Sequence, residues 1–341
     1  MKAGKLSAKQ WGSKQSAKQR QRAIPALCTG NKGNTLAALQ RKLTLLNHYQ
    51  QQLATCPDKR LRSLFHQMAR TAYEEIGHHL SGLQTPTQTS VTSTPKTPIK
   101  EMAVAVEPGR HQVPLIARRE MSDNLVIFKV ARPTDFQFIP GQHVKLGIGS
   151  LQRRYSIVSA PHEPFLEFFV ELVPTGTMST RLRHLTVGDR LTLDKKARGK
   201  LTLDSHFPKQ LMLATVTGVN PFISILRAHL YERRHGQRFY LLHGASYQDE
   251  FGYRDELTQL AEAHPEVLTY IPTISRPAEA RNASWTGERG RVDAIVTNYQ
   301  KQLALTPDAT TCYACGHPAM VDKMESLFTS QGYSVKVERY D

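Results

Sequence analysis

The chain has 341 residues, 40% hydrophobic and 22% charged, the balance of a soluble globular protein of two or three domains with ample chain for buried cores. It has no uninterrupted apolar run of about 18 residues, so no transmembrane segment is expected. The N-terminus is basic without an apolar stretch behind it, so it does not read as a secretory signal, and a cytoplasmic protein is expected. Four cysteines (Cys28, Cys56, Cys312 and Cys315) are too few and too scattered for a disulfide framework or a four-thiolate iron–sulfur cluster, so no metal cluster of its own is expected. The net charge of +16 is uneven. Residues 1–100 hold 16 Lys/Arg and 3 Asp/Glu, a net of +13, whereas the rest hold 29 and 26, a net of +3. That asymmetry points to an anionic partner for the N-terminal extension, with a plain solvated tail as the alternative.

In chain order, residues 1–33 are rich in Lys, Gln, Ser and Gly and read as a disordered basic tail. Residues 34–83 read as a helical hairpin. Leu36, Leu39, Leu43, Leu46, Tyr49 and Leu53 share one helix face, and Leu61, Leu64, Met68, Ala72, Ile76 and Leu80 share another beyond Pro57. The Thr/Pro/Ser-rich stretch 84–100 reads as an extended linker. Short β-rich runs then follow near 115–118, 125–130, 143–148, 155–159, 166–172 and 190–193, with one helix near 178–185. They predict a small antiparallel barrel over 101–206. Over 207–341, apolar runs near 211–215, 239–243, 267–271, 312–315 and 334–337 alternate with helical stretches near 221–235, 252–263, 291–303 and 317–331. That alternation predicts a doubly wound parallel α/β domain. The fold class is therefore α+β multidomain, a β-barrel followed by a nucleotide-binding domain, with an N-terminal helical extension.

Five short motifs stand in a fixed order along 110–341: Arg153-Arg154-Tyr155-Ser156-Ile157-Val158, Gly176-Thr177-Met178-Ser179, Thr215 to Phe222, Cys315-Gly316-His317-Pro318-Ala319-Met320 and Val337-Glu338-Arg339-Tyr340. In that order they resemble the ferredoxin/flavodoxin–NADP⁺ reductase family. The resemblance covers none of residues 1–100. It implies FAD in the barrel and NADP(H) in the second domain. It further implies electron exchange with a separate ferredoxin or flavodoxin, an acidic carrier that the basic extension could attract. The stretch Trp285-Thr286-Gly287-Glu288-Arg289-Gly290-Arg291-Val292 also resembles NADH-using reductases of oxygenase systems, which share the fold, so an NADH-dependent reductase component is the alternative.

The resemblance assigns residues as follows. Arg153 pairs the FAD pyrophosphate, Tyr155 stacks on the flavin and Ser156 hydrogen-bonds its N5; alternation along a strand puts Arg153 and Tyr155 on one face. Gly176, Met178 and Ser179 open the barrel's helix beside a phosphate. Thr217 and Gly218 lie at a strand–helix joint facing the dinucleotide; Val216 stands where the family usually has glycine, which puts the close backbone approach there in doubt. Ser275 and Arg276 hold the 2′-phosphate of NADP(H), since a guanidinium fork suits a dianion. Cys315 lies beside the nicotinamide, Cys312 is a packing cysteine, and Glu338 and Tyr340 close the site from the C-terminus. Cysteines separated by two residues, as Cys312 and Cys315 are, also occur in redox and zinc motifs, but no nearby His pair supports a metal.

Overall fold

The computed structural model describes residues 109–340, so the tail, hairpin and linker read at 1–100 lie outside the described residues. Strands β1 (Arg110–Ser122), β2 (Leu125–Ala131), β3 (His143–Ile148), β4 (Leu151–Ser156), β5 (Phe165–Glu171) and β6 (Arg190–Asp194) form one sheet in the order β4-β3-β6-β1-β2-β5. Every pairing in it is antiparallel. Past β4, the Val158 N–H donates to the Glu167 carbonyl of β5 at 2.9 Å, which brings the two edges nearly together as a barrel. Helix α1 (Thr177–Arg183) lies between β5 and β6 in the chain and sends Met178 and Leu182 into the barrel core.

Strands β2 and β5 bury apolar residues on both faces, and each face has its own destination. Val126, Phe128, Val130, Leu166 and Phe168 fill the barrel interior. Leu125, Ile127 and Phe169 point the other way and share a core with Phe222, Ile223, Leu226 and Tyr253 of the second half. Period-2 alternation thus delivers one strand pair to two cores.

The second half is a parallel sheet of β7 (Lys209–Thr215), β8 (Arg238–Ala245), β9 (Leu268–Ile274), β10 (Glu288–Arg289), β11 (Thr310–Gly316) and β12 (Ser334–Arg339). Its order is β10-β9-β8-β7-β11-β12. Helices α2 (Asn220–Tyr231), α3 (Arg254–Ala263), α4 (Val292–Gln302) and α5 (Pro318–Ser330) connect them. The chain winds outward from β7 in one direction, then returns to β11 on its other side. The gap between the C-terminal ends of β7 and β11 is the switch point where such folds bind nucleotides. None of the described helices is long and apolar enough to cross a membrane.

The element boundaries differ from the sequence reading at three places. The strand expected over 155–159 is Leu151–Ser156, paired with β3 from His143↔Ser156 to Ile148↔Leu151. Ile157 and Val158 are apolar because they are buried while crossing toward β5, not because they continue the ladder. The helix expected to reach 235 ends at Tyr231, and Arg233 turns to φ +52°. The two-residue β10 is too short for any periodicity to reveal.

The two halves are also joined by polar groups. Arg227 of α2 reaches Glu167 of β5 at 2.7 Å, Glu163 at 3.4 Å and Glu256 of α3 at 2.7 Å. Asn220 Nδ2 donates to the Phe169 carbonyl at 2.7 Å, and Ser224 Oγ donates to the Ser159 carbonyl at 2.7 Å.

Candidate functional site

The switch point is built from close backbone contacts. A Cβ on Gly218 would lie 2.2 Å from the Cys315 carbonyl oxygen, so only glycine lets the turn after β7 lie against β11. Gly316 has φ +125°, and a Cβ there would lie 2.2 Å from Thr215 Oγ1; that oxygen accepts the His317 N–H at 2.8 Å. Between them Val216 adopts φ +44°, a left-handed conformation that is strained for a β-branched residue. The turn is held from beneath by His243 of β8, which is fully buried. Its Nε2 must donate to the Val216 carbonyl, 2.8 Å away, so Nδ1 accepts from the Tyr270 hydroxyl at 3.2 Å. Burial pushes the His243 pKa down to about 4, and the ring stays neutral near pH 7.

Across this joint the C-terminal strand brings four distant motifs together. Parallel pairing sets Cys315 of β11 beside Ala214 of β7 and Glu338 of β12. Ser156, at the end of β4 and 2% exposed, donates its hydroxyl to Glu338 Oε1. Glu338 Oε2 meets His143 Nδ1 of β3 at 2.8 Å. Because His143 and Ser156 are cross-strand partners, they present to one face, and one carboxylate bridges them. Tyr340 is anchored through its N–H to the Gly316 carbonyl at 3.0 Å, and its hydroxyl donates to the Thr217 carbonyl at 3.2 Å. Burial, then the neighbouring Glu338, pushes the Cys315 thiol far above its usual range, so it stays protonated and does not serve as a thiolate nucleophile. Cys312 is likewise buried as a free thiol, raised by desolvation.

Arg153 and Tyr155 share a face of β4, opposite Leu146 and Val144 respectively. The Tyr155 ring is half-buried and meets Phe168 edge-on at 6.5 Å. Burial raises its hydroxyl pKa, partly offset by Arg153. Arg153 is exposed and bonds the Gln152 carbonyl at 2.9 Å. On the other face a cleft of about 340 Å³ is lined by His143, Lys145, Arg154, Asp194, Lys196 and Arg198. Its one acid, Asp194, is paired with Arg110 at 3.1 Å, and none of its lysines and arginines has an ion-pair partner among the described residues, so the cleft is cationic. At α1, Gly176 is the N-cap, Met178 is in the barrel core, and Ser179 Oγ accepts the Val173 N–H at 3.0 Å.

Ser275 and Arg276 follow β9, some distance along the sheet from the Ser156 cluster. The Ser275 N–H donates to the Ala245 carbonyl at 2.9 Å. Arg276 and Arg281 both stack on Tyr247, at 5.4 and 4.1 Å from the ring centroid. A sugar phosphate meeting this platform would find two guanidinium groups and a phenol.

The structure thus brings Ser156, Cys315, Glu338 and Tyr340 together at the switch point with Thr217 and Gly218. It keeps Arg153 and Tyr155 on the adjoining strand face and Ser275–Arg276 at the end of β9. Sequence reading missed His143, Tyr247 and His243. His143 lies outside every motif, on the strand next to the one that carries Ser156; only its pairing with Ser156 marks it. Tyr247 is an aromatic beyond β8, and His243 a histidine inside an apolar run that reads as core.

These residues fit FAD and a nicotinamide dinucleotide. The crevice between β7 and β11 is flanked by two glycines that tolerate no Cβ, the Tyr340 ring, the Ser156 hydroxyl and the Glu338 carboxylate lie beside it, and His143 links that carboxylate to the cationic cleft of the barrel. Residues 112–201 match the family described as oxidoreductase FAD-binding domain, and residues 212–326 match the oxidoreductase NAD-binding domain. The ferredoxin–NADP reductase of Pseudomonas aeruginosa is 31% identical over 228 residues, covering 63% of this chain and 87% of that protein. Ferredoxin–NADP reductase B of Sorangium cellulosum is 34% identical over 256 residues, covering 72% and 98%. A crystal structure of a ferredoxin NADP⁺ reductase from Neisseria gonorrhoeae with bound FAD and NADP superimposes with a TM-score of 0.61 at 28% identity, covering 68% of this chain and 99% of that one. With the barrel, the switch point and the Ser156–Glu338–Cys315 cluster all in place, the chain belongs to the ferredoxin–NADP reductase family of flavin-dependent oxidoreductases.

Proposed function

We propose that this protein passes electrons between NADP(H) and a separate ferredoxin or flavodoxin through FAD. In this reading, residues 101–206 form the FAD-binding barrel and 207–341 the NADP-binding domain. The observation that carries the reading is the bridge from Ser156 through Glu338 to His143, set beside Cys315 and Tyr340 at the switch point. Flavin, when bound, accepts electrons in pairs from a nicotinamide and releases them singly. The chain's own residues bind, orient and exclude water. Tyr155 supplies a stacking face, and Arg153 with the Gly176–Ser179 helix start faces the pyrophosphate. Ser156 offers a hydroxyl to the flavin ring. When Ser156 Oγ receives a proton it can release its own to Glu338 Oε1, and the carboxyl, once turned, can hand that proton on to His143 Nδ1. Tyr340 covers the position the nicotinamide must take, Cys315 and Gly316 line it, and Thr217 and Gly218 meet the dinucleotide backbone. Ser275 and Arg276 receive the 2′-phosphate.

The cationic cleft lined by Lys145, Arg154, Lys196 and Arg198 supports an acidic carrier, since unpaired like charges raise the local concentration of an anion. The relatives' names support ferredoxin in that role. The basic extension, with 13 of the 16 net charges, would lengthen the reach of the same attraction.

The test is a visible spectrum of the purified full chain, then anaerobic titration with NADPH and with NADH, then reduction of a ferredoxin and a flavodoxin. The expected outcome is a flavin spectrum bleached preferentially by NADPH and reoxidised by the carrier. Preferential bleaching by NADH would replace this reading with the reductase component of an oxygenase system. The absence of a flavin spectrum after FAD addition would refute both.

A further inference from the structure

The turn after β9 holds a carboxylate where a phosphate is expected. Residues 276–279 close on themselves: the Glu279 N–H donates to the Arg276 carbonyl at 3.2 Å, and Asn282 Nδ2 donates to the same carbonyl at 2.9 Å. This turn sets Glu279 opposite Arg276. Tyr247 Oη donates to Glu279 Oε2 at 2.6 Å and accepts from Arg276 Nη1 at 2.9 Å. Arg276 Nη1 also lies 3.4 Å from Glu279 Oε1. The second cation of the platform, Arg281, is held by Asp249 through Nε at 3.0 Å and Nη2 at 2.8 Å. A phenol O–H and a guanidinium N–H are the donors that a phosphate monoester would use. Here a carboxylate of the chain uses both.

We propose that Glu279 is an internal competitor for the 2′-phosphate subsite and sets how strongly this protein discriminates NADP(H) from NAD(H). The inference rests on the NADP(H) reading of Arg276. Arg276 and Glu279 are about half exposed, with side-chain exposures of 53% and 48%, so the pair is screened and breaks easily. A 2′-phosphate can therefore displace Glu279 from the phenol and the fork. It cannot remove the carboxylate's charge, because the turn tethers Glu279 within a few ångströms of Arg276. An incoming dianion thus meets one negative charge beside its cations, whereas an adenosine without the 2′-phosphate meets no such opposition. For two charges and one charge about 5 Å apart in water-like surroundings, the repulsion corresponds to roughly a tenfold change in affinity.

Asp249 differs from Glu279 in this respect. Its carboxylate takes Arg281 by two bonds and does not touch Tyr247 or Arg276. Among the described residues Glu279 alone shares both donors of the subsite, so it is the residue whose neutralisation should separate the two cofactors.

The experiment titrates the FAD-loaded full chain with 2′,5′-ADP and with 5′-ADP by calorimetry, for the wild type and for Glu279→Gln and Glu279→Ala. Expected is a wild type that prefers 2′,5′-ADP. Both substitutions should tighten 2′,5′-ADP about tenfold and leave 5′-ADP unchanged within about twofold. The gain should shrink when salt is raised to 1 M, where the Debye length falls to about 3 Å. A wild type that binds the two probes equally would remove the 2′-phosphate reading of Arg276, and this inference with it. A wild type that prefers 2′,5′-ADP, with variants that bind it no better or less well, would leave that reading standing and overturn the role of Glu279. Loss of 5′-ADP binding in both variants would make Glu279 a support for the Tyr247 platform, which also overturns it.

Discussion

Replacing Arg227 with methionine should cost the protein much of its stability at neutral pH and should invert its response to acid. Arg227 is in contact with Glu163, Glu167 and Glu256 together, and its guanidinium joins the α2 helix to the barrel strand β5. Glu167 is 5% exposed, and its only other cation among the described residues is Lys129, 3.5 Å away. Burial alone would raise the Glu167 pKa, yet Arg227 and Lys129 outweigh it and hold the carboxyl below its usual range. In the wild type this group contributes stability above the unfolded carboxyl pKa, and loses it as pH falls through the lowered folded value. Removing the guanidinium leaves a buried carboxylate short of partners, which costs about 3–5 kcal/mol. Burial then dominates and the folded pKa rises above the unfolded one. The sign reverses: the protonated group is tolerated below the unfolded pKa, and stability is lost as pH rises through the raised folded value. Arg227→Met should therefore be about 3–5 kcal/mol less stable at pH 8 and closer to wild type at pH 5. Adding Glu167→Gln should recover part of the loss, because the amide carries no charge into the interior. Urea unfolding at the two pH values measures both effects. A loss under about 1 kcal/mol, or one equal at both values, would refute the argument and make Arg227 a surface-like ion pair.

Four further outcomes are expected. Ser156→Ala should keep FAD bound but slow its reduction by NADPH about 10²-fold, the scale of a lost donor to developing charge, measured by stopped-flow absorbance. At Val216, whose φ is +44°, Val216→Gly should be more stable than Val216→Ala by about 1 kcal/mol, the reverse of the order at an ordinary position; thermal melts of the two variants decide it. Tyr340→Ser should tighten nicotinamide binding and relax discrimination against NADH, because the ring proposed to cover the site would be gone; anaerobic difference titration reads this directly. Deleting residues 1–100 should leave NADPH reduction of a small dye unchanged and slow reduction of an acidic carrier at low ionic strength. The difference should fade as the Debye length falls to about 8 Å near physiological salt, and an unchanged carrier rate at low salt would assign the extension another partner.

Much of this protein is legible in its sequence because the relevant physics is local. Alternating apolar residues mark the barrel strands, strand–helix alternation marks the parallel sheet, and Gly218 and Gly316 mark places where backbones must approach. The order of the short motifs from Arg153 to Tyr340 points to the family, because each motif is a contiguous piece of chain and so is legible without knowing what it packs against. The placement of Arg153 and Tyr155 on one face likewise follows from strand alternation alone.

What the tertiary structure alone decided involves partners far apart in the chain. Glu338 bridges Ser156 and His143 across separations of 182 and 195 residues. No pattern around His143 announces that contact; it arises because β3 pairs with β4 while β12 pairs with β11. Val216 reads as a valine in place of a glycine, but its left-handed conformation and the buried His243 beneath it exist only once β7 and β8 lie side by side. Arg227 reads as an ordinary helix charge until α2 packs on the barrel and three carboxylates close around it. Glu279 reads as a loop acid until Tyr247, 32 residues earlier, donates its hydroxyl. Periodicity reports which face of an element is buried. Which charges and hydroxyls meet there depends on how strands far apart in sequence pair, and local patterns carry no record of that pairing.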